Sequence, residues 1–345
     1  MKKKFLLIVL ILIPITFSGC IQIGESNDFG GVFRSVDKGI TFQQKVLMAT
    51  PKPTLVSIGN VDILSMEKDP QDNNAIYIGT AANGLYYTYD SAESWHQAAA
   101  LGQSQINSIT VSPDNKCTIY VSIQNKIFMS KDCNRTYKEI YHDPRVSVII
   151  TEISINPLNT SIIFAGTSAG DLLESNDGGE SWAYMYNFKA MVKDIIFDRN
   201  SSNVFAATTN KIYKLNGKEW DDISDAKEIQ QSFRNIRKMV RIEKSGGGII
   251  MLLTSKDILA SYDDGKTWQA LKLITPPGKV SLYSMDININ NTNEIIYGTS
   301  SAFVSSTDGG KTWTSVKLPS IRIPVFLIIN QGNANIIYMG MHKTS

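Results

Sequence analysis

The sequence predicts an all-β protein, a seven-bladed β-propeller of four-stranded antiparallel blades whose last blade is shared between N- and C-terminal strands. Three observations predict it. An eight-residue pattern recurs along the chain: Ser/Thr, any residue, Asp, any residue, Gly, any residue, Ser/Thr, aromatic. Each copy follows two short apolar runs separated by a turn, so the unit repeats every ~45 residues, the spacing of four-stranded blades. Finally, the first copy has no apolar runs before it, and the last pair of runs has no copy after it.

The N-terminal segment is separate from the repeat. Lys2, Lys3 and Lys4 precede a mostly apolar run, Phe5 to Phe17, that ends in Ser18-Gly19-Cys20. A basic start, a run too short to cross a bilayer and a small-residue cleavage site make a secretory leader. Ser-Gly-Cys resembles the lipobox of bacterial lipoproteins, with Phe17 where Leu is usual. That resemblance implies cleavage after residue 19, a lipid on Cys20 and an extracytoplasmic protein anchored to a bacterial membrane. Residues 20–29 then read as the lipidated cysteine and a tether, and 30–345 as the propeller.

Four copies of the pattern are complete: 35–42, 175–182, 261–268 and 306–313. Two are altered at the glycine. Ala92 stands there in 88–95, and Asn134 in 130–137, where Asn is the best substitute for Gly at positive φ. A seventh, eroded copy is Lys214 to Trp220, one residue short. The aspartates are Asp37, Asp90, Asp132, Asp177, Asp263 and Asp308, and all five tryptophans, Trp95, Trp182, Trp220, Trp268 and Trp313, close a copy. The preceding runs, such as Ile153–Ile155 with Ile162–Thr167, are β-branched and alternating, hence strands. One unit is strand A, turn, strand B, loop, strand C, the octapeptide turn, strand D. Val32–Ser35 supplies C and D without A or B; Pro324–Ile329 and Ile336–Met341 supply A and B without C or D. Together they complete one blade, close the ring and remove its open sheet edges. Seven turns then match seven blades.

Physically the octapeptide is a folding device. Its Asp accepts hydrogen bonds from its own turn, its Gly permits a left-handed backbone, and its aromatic packs beneath. The spaced oxygens and distant Glu of a calcium loop are missing. The pattern resembles the Asp-box (BNR-like) propellers: sialidases, sortilin-type receptors, xyloglucan-degrading glycosidases and photosystem II assembly factor-like proteins. A single small propeller behind a signal peptide most resembles the last group. The resemblance covers roughly residues 30–345 and implies fold rather than function.

Topology sorts the loops into two faces. A–B turns and boxes share one; D–A connections and B–C loops share the other, where the resembling families bind ligands. Cys117 starts a B strand and Cys133 sits in the box ending the neighbouring C strand, so a disulfide between them is expected. The D–A connections carry Lys45, Lys52, Arg145, Lys189, Lys279, Lys317 and Arg322, which predicts a mildly basic face docking an acidic partner, with Lys189 and Arg322 as contacts.

Catalytic readings fare less well. Arg322-Ile323-Pro324 resembles the Arg-Ile-Pro signature of sialidases but lies at the start of the last blade instead of the first, and no arginine triad assembles. A xyloglucanase needs two facing propellers. His96, His142 and His342 fall in three blades without metal-ligand spacing. Phosphate-binding, dinucleotide and nucleophile-elbow motifs are missing. A net charge of +2 on 345 residues gives no reason to expect nucleic acid. The expectation is a monomeric, non-enzymatic lipoprotein scaffold, without cofactor or metal, that binds an envelope protein or glycan. The alternative is a glycan-active hydrolase, whose mark would be carboxylates clustered at the central channel.

Overall fold

The computed structural model describes residues 28–50, 56–224, 235–244, 248–275 and 279–344. The N-terminal segment read as a leader, Cys20 and Lys52 lie outside them. The chain opens with β1 (Val32–Ser35) and β2 (Gln43–Gln44). Blade one is β3 (Ile63–Lys68), β4 (Ile76–Thr80), β5 (Leu85–Thr88) and β6 (His96–Gln97), followed by a 3-10 turn at Ala99–Leu101. Blade two is β7 (Ser108–Val111), β8 (Ile119–Ile123), β9 (Lys126–Ser130) and β10 (Lys138–His142). Blade three is β11 (Ile150–Ile155), β12 (Ile163–Thr167), β13 (Asp171–Ser175) and β14 (Ala183–Asn187). Blade four is β15 (Val192–Phe197), β16 (Val204–Thr208), β17 (Ile212–Asn216) and β18 (Glu219–Asp222).

Blade five is β19 (Ile236–Ile242), β20 (Ile249–Thr254), β21 (Ile258–Ser261) and β22 (Gln269–Ala270). Blade six is β23 (Leu282–Ile287), β24 (Ile295–Thr299), β25 (Ala302–Ser306) and β26 (Thr314–Lys317). Blade seven takes β27 (Ile323–Ile329) and β28 (Ile337–His342) from one end of the chain and β1 and β2 from the other, in the order β2-β1-β28-β27. Antiparallel pairing of Val32 with Gly340 through Ser35 with Ile337 makes the closing seam. The seven first strands contact one another in succession, β27 against β3 completing the ring, so they line the central axis.

The core is distributed. Seven apolar clusters each lie between two neighbouring blades. The seam is no exception: Val32, Ile328 and Tyr338 of blade seven pack on Ile63, Ile76 and Trp95 of blade one. Close approach between blades explains the Gly in the recurrent Ile-Phe-Ala-Gly-Thr run. A Cβ on Gly166 would stand 2.4 Å from Val192 of the next blade. The following Thr turns back to tie the B–C loop, as where Thr167 Oγ1 accepts from the Asp171 N–H at 2.9 Å.

The boxes close as their composition predicts. In 261–268, Asp263 accepts from the Thr267 N–H (2.8 Å), the Thr267 hydroxyl (2.6 Å) and the Ser261 hydroxyl (2.8 Å). Ser261 Oγ in turn accepts from the Gly265 N–H at 2.8 Å. The same bonds recur at Asp37, Asp90, Asp132, Asp177 and Asp308. The eroded copy forms a plain hairpin, Asn216 opposite Glu219, without the carboxylate.

The box tryptophans also join blades. Trp95, Trp268 and Trp313 donate their indole N–H to Lys45, Ile223 and Lys272, residues just beyond the outermost strand of the preceding blade, at 2.8, 3.0 and 2.9 Å. Trp182 and Trp220 reach the preceding blade through ring contacts with Tyr141 and Phe188. In blade two, Cys117 and Cys133 form the expected disulfide.

Candidate site at the central channel

The first strands begin on the face opposite the boxes, and there the channel opens into a cavity of about 450 Å³. A local irregularity shapes its wall. In β3, β11, β15, β19, β23 and β27 the pairing with the second strand skips one residue near the start, between Ile150 and Glu152 or Val192 and Asp194, for example. A bulge leaves the extra residue unpaired and re-aims the side chains around it. Two consecutive side chains of one strand thus line the cavity: Thr151 and Glu152, Lys193 and Asp194, Arg237 and Lys238. Glu67 lies further along β3, and Tyr283 lines the wall from blade six.

Charges here face the lumen without close counterions. None of Glu67, Glu152, Asp194, Lys193, Arg237 and Lys238 has an ion pair within 4 Å among the described residues. Asp194 accepts the Met239 N–H at 2.9 Å, tying blade four to blade five, and the Arg237 guanidinium lies 4.7 Å over the Tyr283 ring. Loss of water around the carboxylates favours their neutral form. Burial pushes Glu67 up to about 7 and Asp194 up to about 6. Glu152 is raised well above the usual carboxylate range by burial and then by the negative charges of Asp194 and Glu67. Burial, followed by the Arg237 charge, lowers Lys193.

The box carboxylates show the opposite behaviour. Hydroxyl and backbone donors of Thr41, Thr136, Ser181 and Thr312 hold Asp37, Asp132, Asp177 and Asp308 at about 2.

The expected contact residues part company. Lys189 is exposed on the predicted face, its N–H bonded to Asn187, with no ion pair among the described residues. Arg322 is 5% exposed and clamps the ring seam. Its guanidinium bonds Asp28 at 2.7 Å, Asp62 at 3.0 Å and the Asn60 carbonyl at 3.2 Å. Such a side chain is not available to a partner, nor to the carboxylate clamp that the sialidase-like signature would require. Asp28, assigned to the tether from sequence, is already part of the fold. Two other expected surface cations are engaged: Arg145 with Asp143 and Asp171, both at 2.6 Å, and Lys45 with Glu93 at 2.7 Å.

The three histidines stay apart: His96 stacks on Tyr87, His142 lies on β10, and His342 sits 3.2 Å from the Ile63 carbonyl. The channel charges are not among the residues the sequence singles out. Their signal was present as a polar pair bracketed by apolar residues at the start of an otherwise alternating strand, as in Val192-Lys193-Asp194-Ile195.

No family model and no curated protein matches the chain. Solved structures do. The GH74 xyloglucanase from Xanthomonas campestris superposes with a TM-score of 0.67 at 12% identity over 82% of this chain and 51% of that one; the chain spans about half of the enzyme's length. YCF48 bound to D1 peptide gives a TM-score of 0.62 at 13% identity over 87% of this chain and 100% of that one. YCF48 from Cyanidioschyzon merolae gives 0.57 at 12% over 86% and 98%. At such identities the likeness is one of fold: the seven-bladed propeller is common to a glycosidase, a peptide-bound protein and this chain.

Proposed function

We propose that the chain is a non-enzymatic extracytoplasmic lipoprotein that binds a segment of another envelope protein at the channel mouth opposite the boxes. The observation that carries this reading is that Lys193, Arg237 and Lys238 line one cavity beside Glu67, Glu152 and Asp194 without a salt bridge to any of them, while burial disfavours the charged form of those carboxylates. Unpaired cations with aromatic support from Tyr283 suit an acidic, extended peptide. The match to peptide-bound YCF48, which covers all of that protein, supports the class. Lys189, exposed on the same face, extends the surface.

The test is a crosslinked pull-down from membranes with the anchored protein as bait, repeated with Lys193→Glu/Arg237→Glu. Partners captured by the wild type and lost from the double variant support the reading. An identical set of partners from both overturns it.

One observation favours a second reading. Glu67, Glu152 and Asp194 are the clustered channel carboxylates that a glycan-active hydrolase would show, and a raised carboxyl can serve as a general acid. Turnover of a fluorogenic sialoside or a xyloglucan oligosaccharide, abolished by Glu152→Gln, would establish that reading in place of the first.

A further inference from the structure

The tether leaves the domain at a defined place. Asp28 is held by Arg322 at 2.7 Å and by Lys343 at 3.1 Å, and Arg322 also holds Asp62, the residue before β3. β3 and β27 begin on the face opposite the boxes, and β28 ends there beside Lys343. The exit point is therefore on the same face as the channel mouth. Residues 21–27 separate Asp28 from Cys20. Whatever their path, that length reaches at most about 28 Å. The strands alone hold the box face roughly 20 Å from the exit, before counting its turns and the radius of the ring. A lipid on Cys20 therefore has the mouth face, where Asp28 is fixed, as its nearest face.

The mouth face also carries cations free to meet an anionic surface. One face holds the six box carboxylates, each hydrogen-bonded within its own turn, and among them exposed lysines such as Lys131, Lys266 and Lys311. On the other, Lys189, Lys256, Lys279 and Lys317 are exposed and carry no ion pair among the described residues. Basic residues near an anionic leaflet are drawn to its negative surface potential. Apolar side chains also project from loops of this face: Val146 is 89% exposed, Ile321 61% and Phe29, beside the exit, 46%. Val36 and Ile40 show that the box face exposes apolar groups too, so apolarity alone does not choose between faces. The place of the exit does.

We infer that the face bearing the channel mouth is a membrane-docking surface, held against the anionic headgroups of the bilayer that carries the anchor. This rests on the reading of Cys20 as the lipidated residue. The channel then opens toward the membrane, and a segment bound there is one that emerges from the bilayer.

The test uses the full lipidated protein in vesicles of 30% phosphatidylglycerol in phosphatidylethanolamine, with single reporters Val146→Cys and Ile321→Cys on the mouth face and Ile40→Cys on the box face. Labelling by a membrane-impermeant maleimide is timed against the same proteins in detergent. Docking slows the two mouth-face sites at least fivefold and leaves Ile40→Cys unchanged. Flotation with the vesicles but equal rates on both faces overturns the docking surface while keeping the anchor. Failure to float overturns both. Protection only in native membranes, with pure-lipid vesicles giving none, replaces lipid by a protein partner and also overturns the inference. Equal protection in phosphatidylcholine vesicles removes the cations from the argument and overturns the anionic preference.

Discussion

The two faces of the propeller use the same residue type to opposite ends. On the box face, aspartates are repeated, accept several short hydrogen bonds each and titrate at about 2. In the channel, carboxylates occur on blades one, three and four without repetition, and burial raises them. The first kind favours the folded state in its charged form; the second opposes it. A repeated feature that stabilises every blade belongs to the fold. An unrepeated feature that costs stability and is nonetheless present belongs to what the fold presents, and this contrast directs function to the channel face.

The largest expected effect comes from breaking a box. Gly39 has φ +88°, and a Cβ there would stand 2.2 Å from the Phe303 ring of blade six. Gly39→Ala meets both a left-handed backbone and a clash with blade six, so it should cost about 2–4 kcal/mol. Chemical denaturation measures it, and the loss should be the same at pH 5 and pH 8, since no titrating group changes. A loss below about 1 kcal/mol would mean that the box turns yield easily and are not the rigid device described.

Next in size is a pH effect that separates the faces. The box aspartates have folded pKa values below the unfolded value of 3.8, so their contribution is present above about pH 4 and is lost as pH falls toward 2. Glu67 is raised from 4.5 to about 7, so its sign is reversed. The folded state binds the extra proton between pH 4.5 and 7, and stability falls as pH rises through that window. Glu67→Gln removes this decline. It should stabilise by about 1–2 kcal/mol at pH 8, discounted for the side chain's contact with the lumen, and by almost nothing at pH 4. A pH-independent difference between Glu67→Gln and wild type would place Glu67 in ordinary solvent and remove the contrast.

What the sequence disclosed follows the same division. The boxes are local: donors, acceptor and left-handed residue all lie within eight positions, so Asp263, Gly265 and Thr267 could be read as a turn before any fold was known. The shared blade was legible because the missing strands at one end were present at the other. The channel charges were not read, because Glu152, Asp194 and Lys238 meet only when three blades are arranged around one axis. Arg322 was misjudged for a related reason. Its partners Asp28 and Asp62 lie 294 and 260 residues away, and only ring closure brings them together. Exposure of a loop cation depends on contacts of that range, which no pattern along the chain records.

The smallest expected effect tests how far the repeat tolerates imperfection. Ala92 occupies the box glycine position at φ +67° and is fully buried in the cluster that joins blades seven and one. The box still closes around it, with Ser94 N–H and hydroxyl on Asp90 at 2.9 and 2.6 Å. Holding an alanine in the left-handed region costs about 1–2 kcal/mol. Its buried methyl returns about 0.8 kcal/mol that glycine would forfeit, and glycine adds chain entropy to the unfolded state. The terms nearly cancel, so Ala92→Gly should change stability by less than about 0.5 kcal/mol. At Asn134, the other altered copy, the side chain also accepts the Tyr137 hydroxyl at 2.5 Å. Asn134→Gly forfeits that bond and should be the less stable of the two, by about 1 kcal/mol. Denaturation of both variants side by side measures the order. If Ala92→Gly instead raised stability by 1 kcal/mol or more, the alanine would be a strained position uncompensated by packing, and the box of blade one would have to be moved from the regular, stabilising side of the molecule to the side where stability is given up.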